Sequence, residues 1–119
     1  MDFTIEKLYQ GDTLLERVAL LCSKDADIGD YLIMDDTYDS KGNLSNIFRH
    51  VFKFPKQLIK KGEWVILMTG TGSYSFKDAN HFFHVGSKSD IWNDKHDAVT
   101  LIKIAAITKK KFSDIHIKK

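Results

Sequence analysis

The stretch IFRHVFKF, residues 47–54, alternates with period two: Phe48, His50, Phe52 and Phe54 share one side, and Ile47, Arg49, Val51 and Lys53 the other. That pattern predicts a strand whose mostly aromatic side faces a core. A second stretch, AVTLIKI at 98–104, sets Val99, Leu101 and Lys103 against Thr100, Ile102 and Ile104. Both sides are largely apolar, so a central strand covered on both faces for part of its length is expected.

Outward from these, further short apolar runs recur at Phe3–Leu8, Arg17–Cys22, Tyr31–Met34, Trp64–Met68 and His81–Val85. The seven glycines and the single proline fall mainly between them, where turns belong. Trp64–Met68 follows Gly62 and reads as a buried strand closed by Gly70–Thr71–Gly72–Ser73. Many short β-branched and aromatic runs separated by turns predict an all-β chain, a sandwich or a barrel. Two segments leave an alternative open. In Thr13–Cys22, the set Leu14, Val18, Leu21 and Cys22 also fits helical spacing, and Pro55–Lys61 fits one helical turn after proline.

The chain has 119 residues, 43% of them hydrophobic and 12% aromatic, enough for one domain with one core. Residues 1–107 are read as that domain, and 108–119 as a basic edge strand or tail of it. Cys22, the single cysteine, excludes an intramolecular disulfide, and its neighbours Ala19–Leu20–Leu21 make it a buried hydrophobe. Neither a signal-peptide pattern nor an apolar run of membrane-spanning length is present, which favours an intracellular location and no membrane span. The net charge of +2 is uneven. Residues 103–119 hold six lysines against Asp114, a net of +5, leaving −3 on the rest.

Candidate chemistry centres first on NHFFHVGSKSDIWNDKHDAV, residues 80–99, with three histidines and three aspartates. On a strand His81 and His84 point to opposite faces, so they do not ligate one metal together. The expected role is rim histidines beside aromatic rings. Asp35, Asp36 and Asp39 in DDTYDSKGN lack the closing glutamate of a calcium loop and read as a polar hairpin tip. Gly70–Thr71–Gly72 has neither a Gly-Lys-Ser/Thr ending nor a helix-forming segment behind it, so a turn is expected instead of a phosphate loop. No serine sits in a Gly-x-Ser-x-Gly elbow, and no paired carboxylates lie in an apolar setting. These absences predict no enzyme activity, no metal and no cofactor.

Three blocks together resemble one family. DIGDYLIMDD at 27–36 is similar to the D-L-S-G-W-x-L-x-D stretch of the lamin-tail domain. HVFKFPKQLIKKGEWVILMTGTG at 50–72 is similar to its y-t-F-P-x-x-t-L-k-p-G-e-y-v-v-l block, and IWNDKHDAVTLIK at 91–103 to its l-W-N-n-x-G-D-x-V-t-L block. The chain resembles a distant member: Tyr31 stands in the tryptophan place, Asp30 and His96 in glycine places. The resemblance implies an immunoglobulin-like β-sandwich that is not itself catalytic, a module for docking proteins or nucleic acid. It also implies that Trp92 packs at the core's edge and that Asp97 bonds the turn feeding the last strand. A protein partner or a second copy of the chain is therefore the leading expectation. The alternative is a nucleic-acid accessory domain with Lys109, Lys110, Lys111, Lys118 and Lys119 on phosphates.

Overall fold

The computed structural model describes residues 1–10, 15–38, 41, 44–88, 91 and 97–111. Ten strands form: β1 (Phe3–Tyr9), β2 (Arg17–Cys22), β3 (Ala26–Asp27), β4 (Tyr31–Tyr38), β5 (Leu44–Lys53), β6 (Leu58–Ile59), β7 (Trp64–Met68), β8 (Ser75–Lys77), β9 (Asn80–His84) and β10 (Asp97–Lys103). The described helical content is one 3-10 turn at Ile28–Asp30, whose Asp27 cap accepts from Gly29 N. The expected all-β class holds. Arg17–Cys22 is strand, and Pro55–Lys61 forms no helix but lays Leu58–Ile59 against Ala26–Asp27. Residues 13 and 14 of the first ambiguous segment lie outside the described residues.

The strands form a five-stranded sheet in the order β1-β2-β7-β9-β8, a three-stranded sheet β10-β4-β5, and the two-residue ladder β3-β6. One departure from an antiparallel fold is plain: β7 and β9 run parallel, Trp64 opposite Asn80 through Met68 opposite His84. The loop and strand β8 after Met68 carry the chain back to start β9 in the same direction. Period-two alternation alone cannot distinguish the two pairings, because both present the same faces.

Alternation sorts the residues cleanly in the five-stranded sheet. Val18, Leu20 and Cys22 of β2, Val65 and Leu67 of β7, and Phe83 of β9 all point inward and are buried. Tyr31 and Ile33 of β4, Phe54 after β5, and Ile28 and Ile59 beside the small ladder join the same core cluster. Phe54 is the aromatic link, 1% exposed and edge-on to both Phe52 (5.1 Å) and Phe83 (5.4 Å). Cys22 is buried as expected, its thiol pushed above its usual range by desolvation.

Two strand expectations are corrected. His50 does not share the inward face with Phe52 and Phe54. Between the pairs Phe52–Ile33 and Arg49–Asp35, two residues of β5, His50 and Val51, stand against one of β4, Met34, and His50 takes φ 42°, so a bulge shifts the faces there. The imidazole is left half in solvent beside the buried Asp35, Nδ1 3.2 Å from Oδ2. The strand β10 is not central: among the described residues it pairs only with β4, at the end of the three-stranded sheet, and Ile102 is exposed. Asp35 belongs to β4 and not to a hairpin tip.

The β8–β9 hairpin turns through Asp78 (φ 52°) and Ala79 (φ 65°). Two consecutive positive φ values define the tight turn that suits strand twist and favours Asn-Gly or Asp-Gly. Alanine pays a Cβ clash there that glycine avoids, against glycine's larger loss of chain entropy. Ala79→Gly is therefore expected to stabilise the protein by about 0.5–1 kcal/mol, raising the thermal midpoint by about 3 °C. A fall in the midpoint would contradict this turn geometry.

Candidate docking face

The register of the five-stranded sheet also fixes what points away from the core. Tyr9 lies opposite Arg17, Lys7 opposite Ala19, and Leu21 opposite Trp64. Ile66 lies opposite Phe82, and Lys77 opposite Asn80. These residues share the outer face with Met68 and His84. Trp64, Ile66, Met68, Phe82 and Leu21 form an apolar band across the three middle strands. Each is only partly buried, although the inward residues between them are closed off completely.

Trp64–Met68 was expected to be buried, and half of it is. A continuous apolar run in a half-covered sheet leaves one apolar face toward solvent. At one end of this face lies a hollow of about 200 Å³, lined by Lys7, Tyr9, Arg17, Ala19, Trp64, Ile66 and Asn80. Arg17 is held across it, its guanidinium carbon 3.9 Å from the Tyr9 ring centroid and Nη1 donating to Leu15 O at 2.7 Å.

The histidines lie elsewhere in kind. His81 points inward and is 4% exposed, not at a rim. Its Nε2 is 3.0 Å from Glu63 Oε1, and its Nδ1 is 2.8 Å from the Tyr74 hydroxyl. Glu63 Oε1 also accepts from Lys60 N at 2.8 Å. The hydrogen bonds from His81 and then from Lys60 hold the Glu63 carboxyl below its usual range. A charged Glu63 only accepts, so the hydrogen between it and His81 sits on Nε2. Burial, and then the Glu63 charge, push the Tyr74 hydroxyl up. The trio therefore keeps Tyr74 neutral, the opposite of what an activated nucleophile needs. Phe76 stacks on the imidazole at 4.4 Å between centroids. Sequence spacing gave no sign of this group, because 18 residues separate Glu63 from His81 and only the β7–β9 pairing unites them.

His84 lies on the opposite face, as period two requires. Gly72 packs against it so closely that a Cβ there would sit 2.5 Å from the ring. Gly70–Thr71–Gly72–Ser73 is thus a turn shaped by packing, with no helix behind it. Among the described residues no group of three metal-ligating side chains occurs. Asp90, Trp92, Asn93, Asp94 and His96 lie outside the described residues, as do Phe112, Lys118 and Lys119. The backbone of Asp97 begins β10. Lys109, Lys110 and Lys111 are exposed on chain without helix or strand. Among the described residues, no helix is long and apolar enough to cross a membrane.

No protein-family model matches the chain, and no curated protein is similar to it.

Proposed function

We propose that the chain is a non-catalytic interaction module with a lamin-tail-like, immunoglobulin-like β-sandwich fold, and that it docks an extended segment of a partner protein. The half-exposed apolar band Leu21–Trp64–Ile66–Met68–Phe82 on the outer face carries this reading. Burying such a face against a partner gains roughly 25 cal/mol per Å² of apolar area before association costs. Lys7, Arg17 and Lys77 stand on the same face, so two copies joined through it symmetrically would bring like charges together. A different protein is therefore favoured over a second copy.

The fold half of the proposal rests on the shared core of the two larger sheets and on the placement of the first family-like block. Tyr31, in the tryptophan place, is fully buried against Phe3 at 5.0 Å between centroids. Asp27 closes the turn before it, accepting from Gly29 N and Gln57 N.

Panning a random displayed dodecapeptide library against the chain and against Ile66→Lys tests the docking face. Peptides rich in alternating apolar residues are expected to be enriched on the native chain, with binding weakened at least about tenfold by Ile66→Lys at an unchanged fold. No enrichment, or enriched peptides indifferent to Ile66→Lys, would overturn the reading.

The second reading places the exposed Lys109–Lys110–Lys111 run on nucleic-acid phosphates. Its signature is affinity that falls steeply with salt.

A further inference from the structure

The hollow on the docking face has a one-sided charge. Lys7 and Arg17 line it together with Trp64 and Ile66, and no acidic side chain does. Neither cation is in a salt bridge among the described residues. Arg17 is also fixed before any ligand arrives. Stacking on Tyr9 and the bond to Leu15 O hold its guanidinium in place, so little rotamer freedom remains to be lost on binding. Asn80, whose Nδ2 donates to Asp78 O at 3.2 Å, adds an amide to the lining. A fixed guanidinium and an ammonium lining one hollow with an indole suit a carboxylate attached to an apolar body.

We infer that this hollow is a carboxylate subsite, which takes an acidic group carried on an apolar or aromatic part of the docked segment, with Arg17 as its main contact and Lys7 beside it. The inference rests on the docking reading above and supplies its specificity. A partner segment would be acidic as well as apolar, and the charge on Lys7 and Arg17 would then speed its capture. A single strand of nucleic acid, with a base on Trp64 and a phosphate on Arg17, is the competing class. Of the two aromatic rings that line the hollow, Tyr9 is already covered by Arg17, which leaves Trp64 alone as a platform, whereas strand-tracking surfaces repeat such platforms along a groove.

Nitrogen-15 NMR of the intact chain reads the side-chain signals of Arg17 and the Trp64 indole directly, the latter assigned with Trp64→Phe. N-acetyl-phenylalanine, its neutral amide and a six-nucleotide thymidine strand are the probes. The carboxylate is expected to shift both signals saturably, the amide to bind at least about tenfold more weakly, and Arg17→Met to lose the difference. Lys7→Met, at an exposed site, is expected to weaken the carboxylate in the same direction. Equal binding of acid and amide, no saturable shift at Arg17 and Trp64, or tighter binding of the oligonucleotide there would overturn the subsite. If library peptides still depend on Ile66 but carry no acidic residue, the subsite alone fails. If no peptide depends on Ile66, the docking reading fails with it.

Discussion

Phe54→Ala is expected to cost about 3–5 kcal/mol of stability, the range for deleting a large buried aromatic ring and leaving a cavity. The magnitude follows from position. Phe54 follows β5, is 1% exposed, and meets Phe52 and Phe83 edge-on. Phe83 belongs to β9 of the five-stranded sheet, so one ring ties the two larger sheets together. Urea unfolding measures the loss as a lower midpoint at unchanged slope. Val51→Ala, three residues earlier but exposed, serves as the control and is expected to change stability by less than about 0.5 kcal/mol. A Phe54→Ala loss near that of Val51→Ala would mean that the sheets do not share this core.

Tyr31→Phe is expected to cost about 1.5–3 kcal/mol at neutral pH, the range for a hydrogen bond to a charged group. The Tyr31 hydroxyl donates to the Asp2 carboxylate, which Lys103 Nζ also approaches at 3.1 Å. Asp2 N in turn donates to the Tyr31 oxygen at 3.2 Å. The cluster joins the start of the chain to β4 and β10. Its pH dependence has two sides of definite sign. The Tyr31 hydrogen bond, and then that from Lys103, hold the Asp2 carboxyl below its usual range. A depressed carboxyl stabilises the fold above its unfolded pKa of about 4, and that contribution is lost as pH falls through the folded value. Burial first, then the bond to Asp2, push Tyr31 up to about 12. That contribution is complete below the unfolded value of about 10 and is lost as pH rises toward the folded one. The gap between wild type and Tyr31→Phe should therefore be flat from about pH 5 to 9 and narrow in acid. Phenolate absorbance should show a late-titrating component from Tyr31 that the variant lacks. A gap independent of pH would separate Tyr31 from Asp2.

Much of this architecture was legible in the sequence, and the exceptions have physical causes. Alternation located the strands because a half-buried strand needs one apolar side. It assigned His81 and His84 to opposite faces correctly. It misplaced His50, because one extra residue in β5 reverses the faces and leaves no mark in composition. It took Ala98–Ile104 for a central strand on apolar content, although Ile102 is exposed at the sheet's end. The same over-reading hid the half-exposed outer face: Trp64–Met68 is apolar throughout, and apolar content does not say whether a second layer covers the outer side. Glu63, Tyr74 and His81 were out of reach, since only the parallel pairing of β7 with β9 brings them together.

The docking face itself is tested most directly by an amide chemical-shift map of the chain with a library-selected peptide. The largest changes are predicted at outward residues of the middle strands, around Arg17, Trp64, Ile66 and Phe82. Changes confined to Lys109–Lys111, or to the edge strands β8 and β10, would contradict it.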